Sequence, residues 1–144
     1  MGNTEIKSQP VLDTSKFRIR HTMLRVFDLD RSLDFYTRLM GMRLLRKRDT
    51  PAGKYTNAFV GYVDEAAGAV LELTYNWAPK EPYTLGTGFG HVAINVPDVY
   101  AVCEALAKEG VKIPRPPGPI KFGTHILAYI EDPDGYKIEL TQHA

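Results

Sequence analysis

The chain has 144 residues, 44% of them hydrophobic, and its 18 basic and 17 acidic side chains leave a net charge of +1. This length supports one ordinary core and is too short for two full-sized domains, while the near-neutral charge gives no reason to expect nucleic acid or an anionic membrane surface as a partner. A single cysteine excludes an intrachain disulfide, and no apolar run suits a signal peptide or a membrane span, so we expect a soluble cytoplasmic protein.

The first half of the chain begins with a polar segment, residues 1–16, which we predict to be a flexible leader. Asp28 and Asp30 are typical helix N-caps and Gly41 is a typical C-terminal stop, which predicts a helix between them. Alternation of apolar and polar side chains predicts the strands. The predicted elements are a strand over 17–26, a helix over 31–40, and strands over 42–47, 55–62 and 69–76.

The second half repeats this order after a segment rich in proline, glycine and charge, residues 77–87, which we predict to be a linker. The proline-rich segment 115–119 is expected to be a loop, and residues 132–135 form a typical tight turn. The predicted elements are a strand over 90–96, a helix over 99–109, and strands over 111–114, 124–131 and 136–141. The pattern therefore predicts an α+β fold of two tandem βαβββ modules, at 17–76 and 88–144.

One histidine and one glutamate recur at equivalent places in the two halves. His21 and His91 lie in the opening strand of their half, and Glu72 and Glu139 each follow a glycine by four residues within a strand. Burying an unpaired carboxylate is costly, so a paired or metal-bound state is expected. Taken singly, each residue is explained by ordinary packing or by a salt bridge. The recurrence of both types instead predicts a divalent-cation site that keeps some positions open for water.

Longer strings carry a resemblance to a known family. They are HTMLRV at 21–26, FY at 35–36, LMGM at 39–42, VGY at 60–62, LELTYNW at 71–77, GFGH at 88–91 and EDPDGYKIEL at 131–140. Together they resemble glyoxalase I, the lactoylglutathione lyases of the vicinal oxygen chelate superfamily, over about residues 18–141. The resemblance implies a curved mixed sheet completed in a homodimer. It also implies isomerisation of the methylglyoxal–glutathione hemithioacetal to S-D-lactoylglutathione.

The same resemblance implies the ligands of the metal and the group that moves the proton. The ligands are His21 and Glu72 of one chain, facing His91 and Glu139 of a second chain. A metal at this place stabilises the enediolate oxyanion as a Lewis acid, while a carboxylate that can leave the metal transfers the proton. Glu139 is the first choice for this base and Glu72 the second.

Four further residues are predicted to bind the thiol. Arg25 and Asn76 each lie four residues after a predicted ligand and match family positions that contact the glutamyl end of glutathione. Arg115 and Lys121 flank the Pro-Gly loop, where the family has basic groups that meet the glycyl carboxylate. A surface salt bridge is the alternative for Arg25, and simple solvated charge is the alternative for Arg115 and Lys121. Thr87 stands where some family members carry an arginine.

The resemblance also bears on the metal and on rival functions. Position 21 is His where many zinc-dependent members have glutamine, which favours nickel, with zinc or cobalt as alternatives. A ring-cleaving dioxygenase of the same superfamily would use iron with two histidines and one carboxylate, and Glu72 as a fourth ligand argues against it. A non-catalytic small-molecule-binding protein on the same fold would not need four metal ligands.

Overall fold

The computed structural model describes residues 9–142. The first eight residues of the predicted leader and the last two of the predicted second module lie outside this range. The first half contains β1 (His21–Arg25), α1 (Leu29–Asp34) with a π-helical continuation (Phe35–Leu39), β2 (Arg43–Thr50), β3 (Tyr55–Gly61) and β4 (Val70–Asn76). The second half contains β5 (Val92–Asn95), α2 (Val99–Lys108), β6 (Arg115–Pro119), β7 (Ile126–Glu131) and β8 (Lys137–Gln142).

The strands form two four-stranded mixed sheets with the same order. The first is β1-β4-β3-β2 and the second is β5-β8-β7-β6. In each sheet the opening strand runs parallel to the last strand of its half, and the other neighbours are antiparallel. The α+β prediction with two βαβββ units is confirmed. The domain boundaries at 17–76, 77–87 and 88–144 stay a prediction.

Each helix begins at an aspartate cap. The side chain of Asp28 accepts a hydrogen bond from the backbone N–H of Arg31 at 3.1 Å, and Asp98 accepts one from Ala101 at 3.1 Å. The first helix therefore begins at residue 29, two residues before its predicted start, because Asp28 and not Asp30 occupies the cap position. Gly41 ends the first helical segment with a φ of +74°, a backbone conformation that glycine adopts without strain.

The predicted strand over 111–114 is wrong. The strand lies instead at Arg115–Pro119, in the segment predicted to be a loop. This strand is at the edge of its sheet, where proline is tolerated because one side of the strand needs no backbone donor. The Arg115 guanidinium holds the segment by donating to the backbone carbonyls of residues 116, 118, 119 and 127.

One hydrophobic core serves both halves. Equivalent strands of the two halves contribute to this core, with Leu73 and Leu140 both fully buried. The apolar face of each sheet therefore packs toward the helices, and the alternating residues of the same strands are left for the opposite face. No helix within residues 9–142 is long and apolar enough to cross a membrane.

Polar contacts also join the halves, most of them through the turn between β7 and β8, while Arg38 donates separately to Glu109 at 3.2 Å. Tyr36 on the π-helical segment donates from its hydroxyl to Asp132 Oδ2 at 2.6 Å. Asp134 Oδ1 accepts the backbone N–H of Phe27 at 3.0 Å. The Tyr136 hydroxyl donates to the carbonyl of Arg25 at 2.9 Å, so the end of β1 is tied directly to the start of β8.

Candidate metal and active site

The first half brings His21 and Glu72 together. His21 opens β1, which runs parallel to β4 so that Met23 is aligned with Glu72. Alternation puts His21 and Met23 on one face of β1, and this face adjoins the face of β4 that carries Glu72. His21 Nε2 lies 2.6 Å from Glu72 Oε2, with side chains 29% and 16% exposed. The imidazole and the carboxylate therefore face each other at a partly open surface.

The second half repeats this pair with His91 and Glu139. His91 immediately precedes β5, and Glu139 lies on β8, aligned with Ala93. His91 Nε2 lies 3.3 Å from Glu139 Oε2, with side chains 37% and 18% exposed. The two predicted pairs are thus both present, with nearly equal exposure of the two carboxylates.

The structure does not bring the two pairs together within one chain. Among residues 9–142, no group of three or more His, Cys, Asp or Glu side chains lies close enough to hold a metal ion. Each chain presents two separate two-ligand groups, which we call the first half-site (His21 and Glu72) and the second half-site (His91 and Glu139). A four-ligand site therefore requires a second chain or a different arrangement of the halves.

The half-sites fit a divalent cation in donor type and spacing. Two neighbouring ligands that each lie about 2.1 Å from an ion are roughly 3 Å apart, and the two His–Glu distances of 2.6 and 3.3 Å bracket this value. Imidazole and carboxylate together suit zinc, nickel and related ions. In addition, His21 Nδ1 is buried and has no hydrogen-bond partner among residues 9–142.

The glutamates have different hydrogen-bond partners. Glu72 Oε1 accepts from Asn57 Nδ2 at 2.7 Å and from the Thr74 hydroxyl at 3.3 Å. Glu139 Oε2 accepts from the Tyr129 hydroxyl at 3.1 Å. Burial, followed by this hydrogen bond and the charge of Glu139, raises the pKa of Tyr129, so the phenol stays a donor at neutral pH.

A row of residues that the sequence did not predict as a unit crosses each sheet beside its glutamate. Cross-strand pairing aligns an arginine, an aromatic residue and the glutamate in the order Arg46, Phe59, Glu72 in the first sheet and Arg115, Tyr129, Glu139 in the second. The Arg46 guanidinium lies 3.6 Å from the centre of the Phe59 ring. This row is visible only in the strand register, which spacing along the chain does not specify.

The four residues predicted to bind the thiol lie in different surroundings. Arg25 is exposed at the end of β1, and Asn76 donates to the Tyr83 hydroxyl at 3.2 Å. The guanidinium of Arg115 is engaged by backbone carbonyls, while the ammonium of exposed Lys121 lies 5.1 Å from a neighbouring aromatic ring. Their role in binding a thiol stays a prediction for all four.

Comparison with known proteins defines the class. The family model described as the Glyoxalase/Bleomycin resistance protein/Dioxygenase superfamily matches residues 18–140. This range includes both half-sites and every strand up to Leu140 of β8. The chain belongs to this superfamily.

Individual relatives narrow the class further. The chain is 56% identical to a probable lactoylglutathione lyase of Synechocystis, over 85% of this chain and 92% of that protein. It is 53% identical to the lactoylglutathione lyase of Neisseria meningitidis, over 87% of this chain and 90% of that protein.

Solved structures of glyoxalase I are also similar. Glyoxalase I from Zea mays matches with a TM-score of 0.84 and 50% identity over 88% of this chain, which spans 45% of the maize chain. The trypanothione-dependent glyoxalase I of Leishmania major matches with a TM-score of 0.77 and 45% identity, over 87% of this chain and 86% of that one.

Proposed function

We propose that this chain is a metal-dependent lactoylglutathione lyase that converts the methylglyoxal–glutathione hemithioacetal to S-D-lactoylglutathione and so removes methylglyoxal. The observation that carries this proposal is the recurrence of one imidazole–carboxylate pair on each sheet, at 2.6 and 3.3 Å. The relatives named lactoylglutathione lyase, at 53–56% identity over most of the chain, support the same activity.

We propose that the active form is a homodimer in which the first half-site of one chain faces the second half-site of the other. Two observations support this arrangement. Each half-site supplies only two ligands, and in the described part of the chain β1 and β5 each pair with a strand on one side only. An isologous dimer would bring these open edges and half-sites together twice. The ligands are then His21, Glu72, His91 and Glu139, and nickel is the proposed ion, ahead of zinc or cobalt.

A divalent ion held by His21, Glu72, His91 and Glu139 would supply Lewis-acid stabilisation of the negative charge that develops on the substrate oxygens. In the proposed mechanism, the Glu139 carboxylate removes the proton from the carbon next to the carbonyl and returns it to the carbonyl carbon, while the hydroxyl proton passes to the former carbonyl oxygen. Glu72 and the two histidines hold their positions. The side chain of Glu139 is 18% exposed, so bulk water has limited access to the proton that it moves.

Arg25, Asn76, Arg115 and Lys121 are proposed to bind the thiol, with glutathione as the expected cosubstrate. Arg25 and Asn76 end neighbouring strands of the first sheet, and Arg25 is aligned with Thr74 in the register. Each lies four residues along its strand from a proposed ligand, Arg25 from His21 and Asn76 from Glu72, which corresponds to about 13 Å. Because the Leishmania relative is described as trypanothione-dependent, other thiols are part of the test. The single cysteine, which is buried, supports a cytoplasmic location.

The test measures thioester absorbance from methylglyoxal and glutathione, with metal-stripped protein refilled with nickel, zinc or cobalt. Nickel should restore the highest rate. Glu139→Gln should lower kcat by about 100-fold or more because the base is lost. Glu104→Gln, an exposed glutamate on α2, is the matched control and should leave the rate unchanged. A folded, nickel-loaded chain that forms no thioester would refute the proposed function, and a higher rate with zinc would refute only the metal assignment.

The shared site has its own test by subunit mixing. His21→Ala and His91→Ala should each be inactive alone. When the two variants are refolded together, about half of the dimers are mixed, and each mixed dimer has one intact site of two. Activity should therefore return to about one quarter of the parent rate. With a cleavable tag on one variant only, size analysis can identify mixed dimers, and no recovery in a mixture that contains them would contradict a site shared between chains.

A further inference from the structure

The two glutamates of the half-sites are about equally buried, but Glu72 accepts more hydrogen bonds than Glu139 does. Glu72 has partners on both oxygens, since Oε1 accepts from Asn57 at 2.7 Å and Oε2 faces His21 Nε2 at 2.6 Å. Glu139 uses only Oε2, which faces both Tyr129 and His91, and nothing among residues 9–142 donates to its Oε1. Since the side chains are 16% and 18% exposed, the difference comes from hydrogen bonds and not from burial.

The extra partner of Glu72 originates at one pair of equivalent positions, while a second pair, Phe59 and Tyr129, gives Glu139 its own hydroxyl donor. On β3, Asn57 is aligned with Thr74 of β4, two residues past Glu72. On β7 of the second sheet, the residue aligned in the same way, with Thr141 of β8, is Leu127. The first half therefore has an amide where the second half has an apolar side chain.

Asn57 is itself held in place. Its Nδ2 donates to the Thr74 hydroxyl at 2.9 Å as well as to Glu72, and Thr74 Oγ1 in turn lies 3.3 Å from the same carboxylate oxygen. Asn57, Thr74 and Glu72 thus form a closed set of three contacts between adjacent strands. Hydrogen bonds to a carboxylate are roughly twice as strong as neutral ones, so moving Glu72 would break the stronger contacts of this set.

We propose that Asn57 is a positioning residue that clamps Glu72 as a fixed metal ligand, which leaves Glu139 as the one carboxylate able to leave the metal and move a proton. This inference rests on the proposed function, because it concerns which carboxylate of that site only binds the metal and which one also transfers the proton. The contact made by Tyr129 agrees with these separate roles for Glu72 and Glu139. Its hydroxyl contacts the oxygen of Glu139 that also faces His91, so the other oxygen can turn toward a substrate proton.

The test exchanges the two aligned residues. Asn57→Leu gives the first sheet the leucine that the second sheet has at the aligned position. Leu127→Asn places an amide beside Glu139. Both variants are stripped of metal, and their nickel affinity is measured by competition with a coloured chelator, without substrate. The values of kcat and KM are then measured at saturating nickel. Asn57→Ala and Leu127→Gln replace any variant whose thermal melt shows that it is unfolded.

Asn57→Leu should change mainly the nickel affinity, and Leu127→Asn should change mainly kcat. Asn57→Leu should weaken nickel binding by about 10-fold or more, as is usual when a partner of a metal ligand is lost, and should leave kcat at saturating nickel within about 3-fold of the parent. Leu127→Asn should lower kcat by about 10-fold or more because the base is now held. Its KM should stay within about 2-fold, and its nickel affinity should not fall, because Glu139 is also a proposed ligand and gains a partner.

Three results would overturn the clamp: unchanged nickel affinity in Asn57→Leu, a loss of kcat in Asn57→Leu equal to that in Leu127→Asn, or full kcat in Leu127→Asn. The affinity measurement needs no turnover. If the parent chain binds nickel but forms no thioester, the proposed function fails, and the affinity of Asn57→Leu still decides whether Asn57 holds Glu72.

Discussion

Tyr36→Phe tests the contact that joins the two halves. The Tyr36 hydroxyl donates at 2.6 Å to Asp132 Oδ2, and both residues are buried, at 1% and 5% exposure. Burial first, and then the charge of Asp132, raises the pKa of Tyr36, so the phenol stays protonated and remains a donor. The ring packs edge to face against Phe35 at 4.9 Å. Phenylalanine keeps this packing, so the substitution removes the hydroxyl alone.

The expected cost is about 2 kcal/mol. Hydrogen bonds to charged groups contribute roughly 1.5–3 kcal/mol, and loss of the donor leaves Asp132 Oδ2 buried without this partner. Asp132 Oδ1 keeps its bonds from the backbone N–H groups of Asp134 and Tyr136, which limits the loss. For a chain of this size, about 2 kcal/mol corresponds to a fall in Tm of roughly 4–10 °C.

Urea unfolding of Tyr36→Phe and the parent, at equal protein concentration, measures this cost. Tyr62→Phe is the matched control because its hydroxyl donates at 2.7 Å to a neutral acceptor, the Met40 carbonyl, from a half-exposed position. It should cost about 1 kcal/mol or less. The reasoning would be refuted by equal costs for the two substitutions. Additive effects of Tyr36→Phe and Asp132→Asn in a double-mutant cycle would also refute it.

Two further predictions concern buried groups. Burial is the main cause that raises the pKa of Asp132, so its contribution to stability is complete below the ordinary Asp pKa and is lost as pH rises through the raised value. Asp132→Asn lacks this loss, so urea midpoints should show its stability improving relative to the parent as pH rises from about 4 to 7. Cys103 is 3% exposed and its thiol pKa is raised by burial, so a thiol reagent should label it only at the rate of unfolding, measured in increasing urea.

The sequence was sufficient for most of the fold because its signals were local and occurred twice. Alternation identified the strands around Leu73 and Leu140, and an aspartate before each helix marked where it begins. The strand at Arg115–Pro119 was missed because prolines usually indicate a loop. Its backbone is held by contacts between the Arg115 guanidinium and carbonyls up to 12 residues away, which no local pattern reveals.

The sequence was enough to predict some residues of the site but not others. Alternation and the repeat were enough to select each histidine with its glutamate, because a period of two places them on known faces. Asn57 and Tyr129 were not selected, since their contacts depend on which residue of β3 or β7 lies opposite the glutamate. Register is set by turns and by packing across the whole sheet, so donors to a carboxylate on a neighbouring strand stay hidden in the sequence.

The repeat supplies two similar carboxylates, Glu72 and Glu139, and their hydrogen-bond partners distinguish them. Under the proposed mechanism, one proton must leave one carbon and return to its neighbour, so two equivalent mobile carboxylates would compete as bases. The repeat alone would produce such equivalence, because Glu72 and Glu139 have matching strands, histidines and exposure. The amide of Asn57 makes the two carboxylates different, because it donates to Glu72 Oε1, whereas Glu139 Oε1 has no such donor among residues 9–142. Two differences between the halves, Asn57 against Leu127 and Phe59 against Tyr129, therefore surround the two carboxylates of one repeated pattern with different partners.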